Sequence, residues 1–220
     1  MGISRMALER VVALAVVLLL AGGGGIMVAQ RAHHDRWYYI SEFGAQGLLT
    51  ESDFKTGFTM LALGFLLSAW PLRRVRTKPL PAWITIALAA LAFLVASQVN
   101  CTENCPGLGN PDATAQDLVH IWFAIFGFVL GCLAMLQIAF TGSRRFRVVT
   151  IVAAVLIGVI AGTGGLLSLA GSTSELGAIA EHVAAGIGVL WLMVLVLVES
   201  NRYVPKSVED RFPDGQGSSE

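Results

Sequence analysis

Six separate apolar runs, each near the length needed to cross a bilayer, limit what this chain can fold into more than anything else in it. They cover residues 11–29, 54–70, 83–99, 118–140, 148–169 and 178–198. A membrane-spanning helix takes about 20 residues of this kind. Lipid offers the backbone no hydrogen-bond partner, so each run must satisfy its own amides as a helix, and open strands are excluded. No run has an internal proline. Pro71, Pro79 and Pro81 bracket one turn, and Pro106 and Pro111 lie in another, where helices tolerate them. Only 14% of the 220 residues are charged and 55% are hydrophobic, against roughly 25% charged in a soluble domain. The formal net charge is zero, which argues against nucleic acid as a partner. The expectation is an all-α, polytopic transmembrane bundle of six helices over residues 1–200. Residues 201–220, polar with Pro, Gly and Ser, read as a disordered cytoplasmic tail.

Basic residues fix the expected orientation. With a cytoplasmic N-terminus, twelve of the fifteen lie inside, and only Arg31, Arg36 and Lys55 lie outside. The positive-inside rule then holds at every loop, so both termini are expected in the cytoplasm and the chain in the plasma (inner) membrane. The first run reads as a retained helix rather than a cleaved signal, because its apolar core is long and no small-x-small site follows.

Glycines mark close packing. Gly127 and Gly131 form a G-x-x-x-G pair, as do Gly158 and Gly162, and such pairs let helix backbones approach. Packing within the chain is the first reading and a homodimer through these faces the alternative. The four glycines at 22–25 are expected to weaken or bend the first helix.

No ionisable group lies in the middle of any run, which argues against a pump or a proton-coupled transporter. All four histidines and nine of the fifteen acids fall on the outer side, leaving it a net charge of −6. Asp117 and His120 share one helix face, and Glu181 and His182 enter the membrane at a similar depth. If their helices are neighbours, Asp117, His120 and His182 make a set for a divalent metal such as zinc. Glu181 or Asp53 would then serve as general base. Ser41 becomes a nucleophile if a base reaches it. His120 and His182 also fit the axial ligands of a haem. Each has a structural reading beside it. Residues 114–117 (Thr-Ala-Gln-Asp) resemble a capping box, and residues 172–175 (Ser-Thr-Ser-Glu) a second helix start. An interfacial histidine can simply hold a loop, and Ser41 can be a polar turn residue. Cys101 and Cys105 are expected to form a disulfide, the outer compartment being oxidising, with a redox pair and a metal site as alternatives. Cys132 is expected as a free, buried thiol.

Three elements taken in order resemble one family. They are Ile-Ser-Glu-Phe-Gly at 40–44, Cys-Thr-Glu-Asn-Cys-Pro at 101–106 and Asp-Leu-Val-His at 117–120. Their spacing is similar to that of the bacterial six-helix membrane proteins grouped as Domain of Unknown Function 998, over about residues 8–200. The resemblance implies a prokaryotic inner-membrane protein and no established activity. A fainter likeness is to membrane hydrolases that hold zinc with a Ser, an Asp and three His, such as alkaline ceramidases and adiponectin-receptor-like proteins. This chain departs from them in having six apolar runs rather than seven, and no H-x-x-x-H on the last.

The functional expectation is an integral membrane protein that binds a lipid, small ligand or partner through a polar pocket at its extracytoplasmic face. A metal-dependent lipid hydrolase of the outer leaflet and a haem-binding electron-transfer protein are the alternatives. A reporter active only outside the cytoplasm, fused within residues 107–111, should be active, and the same reporter after residue 76 silent. Activity at the second position alone reverses the orientation.

Overall fold

The computed structural model describes residues 5–103, 105–107, 109–169 and 175–201. The helix-start signal at 172–174 and, apart from Asn201, the expected tail lie outside the described residues. Six α-helices follow one another: α1 (Arg5–Ala32), α2 (Glu51–Leu72), α3 (Ala82–Gln98), α4 (Ala115–Ala139), α5 (Arg144–Leu169) and α6 (Glu175–Asn201). A short 3-10 helix, Ile40–Gly44, lies between α1 and α2, and no strand occurs among the described residues. Each apolar run becomes one helix, and most helices overrun their runs into polar sequence. α2 continues through Pro71, because a proline so near a helix end removes only one ladder bond, and Arg73 N–H still donates to Ala69 O at 3.0 Å. α1, α4, α5 and α6 are long and apolar enough to cross a membrane. α3 is apolar but only 17 residues long, about 26 Å of helix. α2 carries Glu51, Asp53 and Lys55 in its first turns.

Each helix packs on the next, α6 returns to α1, and α2 also touches α6. Successive helices run antiparallel. On α1 and α2, Gly23 faces Gly57 while Leu20 faces Gly64. On α3 and α4, Phe93 meets Gly127 and Phe128. On α5 and α6, the Trp191 indole donates to Thr150 Oγ1 at 3.2 Å. One end of the bundle therefore gathers the N-terminus of α1, the α2–α3 and α4–α5 turns and the C-terminus of α6. It carries Arg10, Arg73, Arg74, Arg76, Lys78, Arg144, Arg145 and Arg147, and is called the basic end below. The other, the loop end, holds the 3-10 helix, the segment 99–114 and the N-termini of α2, α4 and α6.

The main core joins Val16 and Leu20 of α1 to Ile86, Ile138, Leu192 and Leu195 of the helices around it. A smaller cluster of Met135, Ala154, Ile157 and Ala184 fixes α5. Outward faces stay apolar: on α5, Val149, Val159 and Leu166 are 64%, 62% and 68% exposed. Such a surface suits lipid as solvent. At the basic end Glu9 is 1% exposed. It accepts from Arg74, with Arg73 at 3.7 Å, and Arg73 in turn stacks 3.5 Å over the Trp70 ring. This pairing ties α1 to the α2–α3 turn and has no counterpart in the sequence reading.

Glycine is used unevenly. A Cβ on Gly127 would clash with the Phe93 ring, so this glycine serves packing within the chain. Gly131, Gly158 and Gly162 meet nothing within 4 Å. The run at 22–25 does not break α1, which is continuous from Arg5 to Ala32. Two of its members admit α2: a Cβ on Gly23 would lie 2.6 Å from Gly57 O, and one on Gly22 2.6 Å from Met60 Cε. Gly25 faces open space. Gly23→Ala is therefore expected to destabilise the protein by about 1–3 kcal/mol through overpacking. Gly25→Ala should be neutral or stabilising by up to about 1 kcal/mol. Unfolding of the two variants in one detergent compares them, and equal effects would show that the α1–α2 contact is slack.

Candidate functional site

The polar chemistry of the loop end begins with Asp117. It occupies the first turn of α4, is fully buried, and closes the capping box expected from residues 114–117. Its Oδ1 accepts from Thr102 N–H at 2.7 Å, and its Oδ2 from Thr114 N–H at 2.8 Å. The hydroxyls of Thr102 and Thr114 add bonds at 2.9 and 2.7 Å. The carboxylate thus clamps the start of the loop to the start of the helix. One turn on, His120 is 2% exposed. Its Nδ1 lies 2.9 Å from Ala96 O and 2.8 Å from Val99 O, the open carbonyls at the end of α3. Carbonyls only accept, so Nδ1 carries the proton. Cys101 and Cys105 are joined as a disulfide, as expected, and Cys132 is the free cysteine, half-buried in α4.

On the far side of the same end, two more carboxylates hold the 3-10 helix. Tyr39 N–H donates to Glu42 Oε2 at 2.6 Å, and Ile40 N–H to Glu181 Oε2 at 2.7 Å. Burial raises the Glu42 carboxyl above its ordinary range, against the opposing pull of the Tyr39 amide and Arg36. The segment packs with its aromatic side inward. Phe43 is 2% exposed and lies between the His34 ring at 5.2 Å and the His182 ring at 6.1 Å. Trp37 meets His182 edge-on at 5.4 Å, and the Arg31 guanidinium covers Trp37 at 4.3 Å. His182 Nδ1 lies 2.9 Å from Ala178 O, one turn back.

Where the start of α2, the end of α3 and the start of α4 meet, the surface opens into a groove of about 530 Å³. Its polar lining is Gln46, Glu51, Lys55, Gln98, Asn100 and Gln116. Glu51 is held in place by Asn100 Nδ2 at 3.0 Å and Gly47 N–H at 2.9 Å. Gln116 donates to Asn100 O. Asn100 is buried and spent on Glu51, so three glutamine amides, one acid and one base present donors and acceptors to whatever enters.

The structure does not assemble the expected metal set. α4 and α6 are not neighbours in the ring. Among the described residues, the one group of three His, Cys or acidic side chains with donor atoms within 4.8 Å of one another is Cys101, Cys105 and His120. Asp117 and His120 sit together over the end of α3, while His182 sits under the 3-10 helix. His120, the other member of the expected haem pair, turns to the end of α3, whereas His182 meets Trp37 and Phe43. Glu181 holds a backbone amide, Asp53 is exposed on α2, and the Ser41 hydroxyl has no hydrogen-bond partner among the described residues. Sequence reasoning expected a polar pocket at this face but did not name the residues that line it. Their signal was faint: Gln98, Asn100 and Gln116 flank two helix ends that only the fold brings together.

Residues 13–198 match the sequence model of a family described as Protein of unknown function (DUF998). The chain belongs to the DUF998 family. No curated protein and no solved structure matches it. The DUF998 match runs from the third turn of α1 to the last turn of α6, so the clamp, the disulfide and the groove all lie inside it.

Two outcomes follow for this DUF998 protein. Asp117→Asn turns an amide donor toward threonine donors and should cost about 2 kcal/mol of stability, read by unfolding in detergent; an unchanged midpoint would remove the clamp. Glu42 binds its proton more tightly folded than unfolded. Its contribution is therefore fullest below the ordinary carboxyl pKa and is lost as pH rises to the folded value. Glu42→Gln, which keeps an acceptor for Tyr39 N–H, should flatten that part of the stability–pH curve.

Proposed function

We propose that this DUF998 protein is an integral plasma-membrane protein, both termini cytoplasmic, whose loop end binds the zwitterionic headgroup of a lipid. Residues 1–200 act as one six-helix unit, with the remainder a cytoplasmic tail. The observation that carries the reading is the groove. It lies at the helix ends, the depth at which headgroups sit, and presents the Glu51 carboxylate and the Lys55 ammonium among three glutamine amides. A headgroup with an ammonium and a phosphate can pair with both and hydrogen-bond the amides. Orientation is supported by the gathering of basic side chains at the opposite end, which the positive-inside rule assigns to the cytoplasm.

The test is thermal unfolding of the detergent-solubilised protein with short-chain phosphatidylethanolamine or phosphatidylglycerol. A ligand at a hundred times its dissociation constant stabilises by about 2.7 kcal/mol. The zwitterionic lipid should raise the midpoint, and Lys55→Ala and Gln98→Leu should each abolish the rise. Equal response to both lipids, or a rise that survives both substitutions, overturns the reading.

A further inference from the structure

We propose that the Cys101–Cys105 disulfide gates a cation site: once reduced, the two cysteine thiolates and the His120 imidazole together bind a thiophilic cation of the zinc class. The site is independent of the headgroup groove and stands or falls without it. Both sulfurs and a ring nitrogen of His120 lie within 4.8 Å of one another, a spread that small movements can draw onto one ion. Cys101 is fully buried and His120 is 2% exposed, so the ligands are largely shielded from water. Two thiolates and an imidazole suit zinc or a softer ion over magnesium or calcium.

The second observation is the hold on His120. Its Nδ1–H is committed to the carbonyls of Ala96 and Val99. That fixes the neutral tautomer, leaves the lone pair on Nε2 and orients the ring. A metal-ligating histidine is set in the same way, by giving its other N–H to a backbone carbonyl.

The third is that the disulfide joins no two elements. Its cysteines are four residues apart in one loop. Chain-entropy reasoning gives so short a closure less than half the stabilisation it gives a hundred-residue loop. The loop is held by other bonds: Thr102 to Asp117, Gln46 N–H to Cys101 O at 3.0 Å, and Gln116 to Asn100 O. Opening the disulfide leaves these in place. Reduction requires a dithiol. One of its thiolates attacks the half-buried Cys105 sulfur, and the S–S electron pair leaves on Cys101 as a thiolate. The dithiol's second thiolate then attacks its own sulfur in the mixed disulfide, which forms the reductant's disulfide and releases Cys105 as a thiolate. Two electrons pass to the pair, and any protons the cysteines take up are displaced when the cation binds.

Full-length protein in detergent, reduced with a phosphine and titrated with Cd²⁺, provides the test. A sulfur-to-cadmium charge-transfer band should appear at one cation per chain in the reduced protein and be absent from the oxidised one. His120→Gln, which keeps an amide donor for the two carbonyls, should weaken binding more than about tenfold. Cys132→Ala should leave it unchanged. No band after reduction, equal affinity in His120→Gln, or loss of the band in Cys132→Ala overturns the proposal. So does unfolding of the reduced protein before any metal is added, followed by gel filtration, because the loop would then depend on the disulfide.

Discussion

Carboxylates that accept backbone N–H groups hold the loop end of this bundle together. Asp117 takes the amides of Thr102 and Thr114, Glu42 that of Tyr39, Glu181 that of Ile40 and Glu51 that of Gly47. The need arises from the solvent. Helices crossing lipid satisfy their own backbones, but the segments that join them carry amides without ladder partners. A carboxylate is the strongest acceptor available to such an amide. Once the segments are pinned, the rest follows: Phe43 is pressed between His34 and His182, and the end of α3 is brought to the His120 ring. The groove lies where the pinned ends of α2, α3 and α4 meet.

This also changes how the outer negative charge is read. By sequence, nine acids against three basic residues gave this end a net charge of −6. Four of the nine are turned to backbone donors, whose dipoles offset their field. Asp35, Asp53 and Asp112 are among the acids that remain exposed. Glu9 shows the same economy at the other end, where arginine guanidiniums stand in for the amides.

What could be read from the sequence divides by range. The helices were legible because hydrophobicity marks a whole membrane-length segment, and the capping box because its partners, Thr114 and Asp117, are three residues apart. The disulfide was legible because its two cysteines stand four residues apart in one loop. Glu181 was not, because the amide it serves belongs to Ile40, 141 residues earlier in the chain. The partners of His120 and His182 were not legible for a related reason. Sequence gives the depth of a residue in a bundle but not which helices stand side by side, and here α5 intervenes between α4 and α6. Glu9 carries no sequence signal, since nothing local announces that Arg73 and Arg74 of the α2–α3 turn fold back over it. The glycines at 22–25 looked like a weakness in α1. Half of them turn out to be where α2 comes closest.

The two histidines illustrate how little residue type decides by itself. Both lie near the loop end, both are shielded, and both place Nδ1 against a backbone carbonyl. His182 bonds its own helix one turn back and fills an aromatic pocket, so its ring supports the covering segment. His120 bonds the open end of a different helix and faces two sulfurs. The difference comes from what the neighbouring chain brings to each. α3 ends at His120 and runs directly into Cys101, whereas α6 at His182 is roofed by Trp37 and Phe43. Chemistry at this end therefore concentrates where a helix terminus, a cysteine loop and a buried carboxylate meet within a few residues of α4. The aromatic side, for all its titratable groups, is a lid held down.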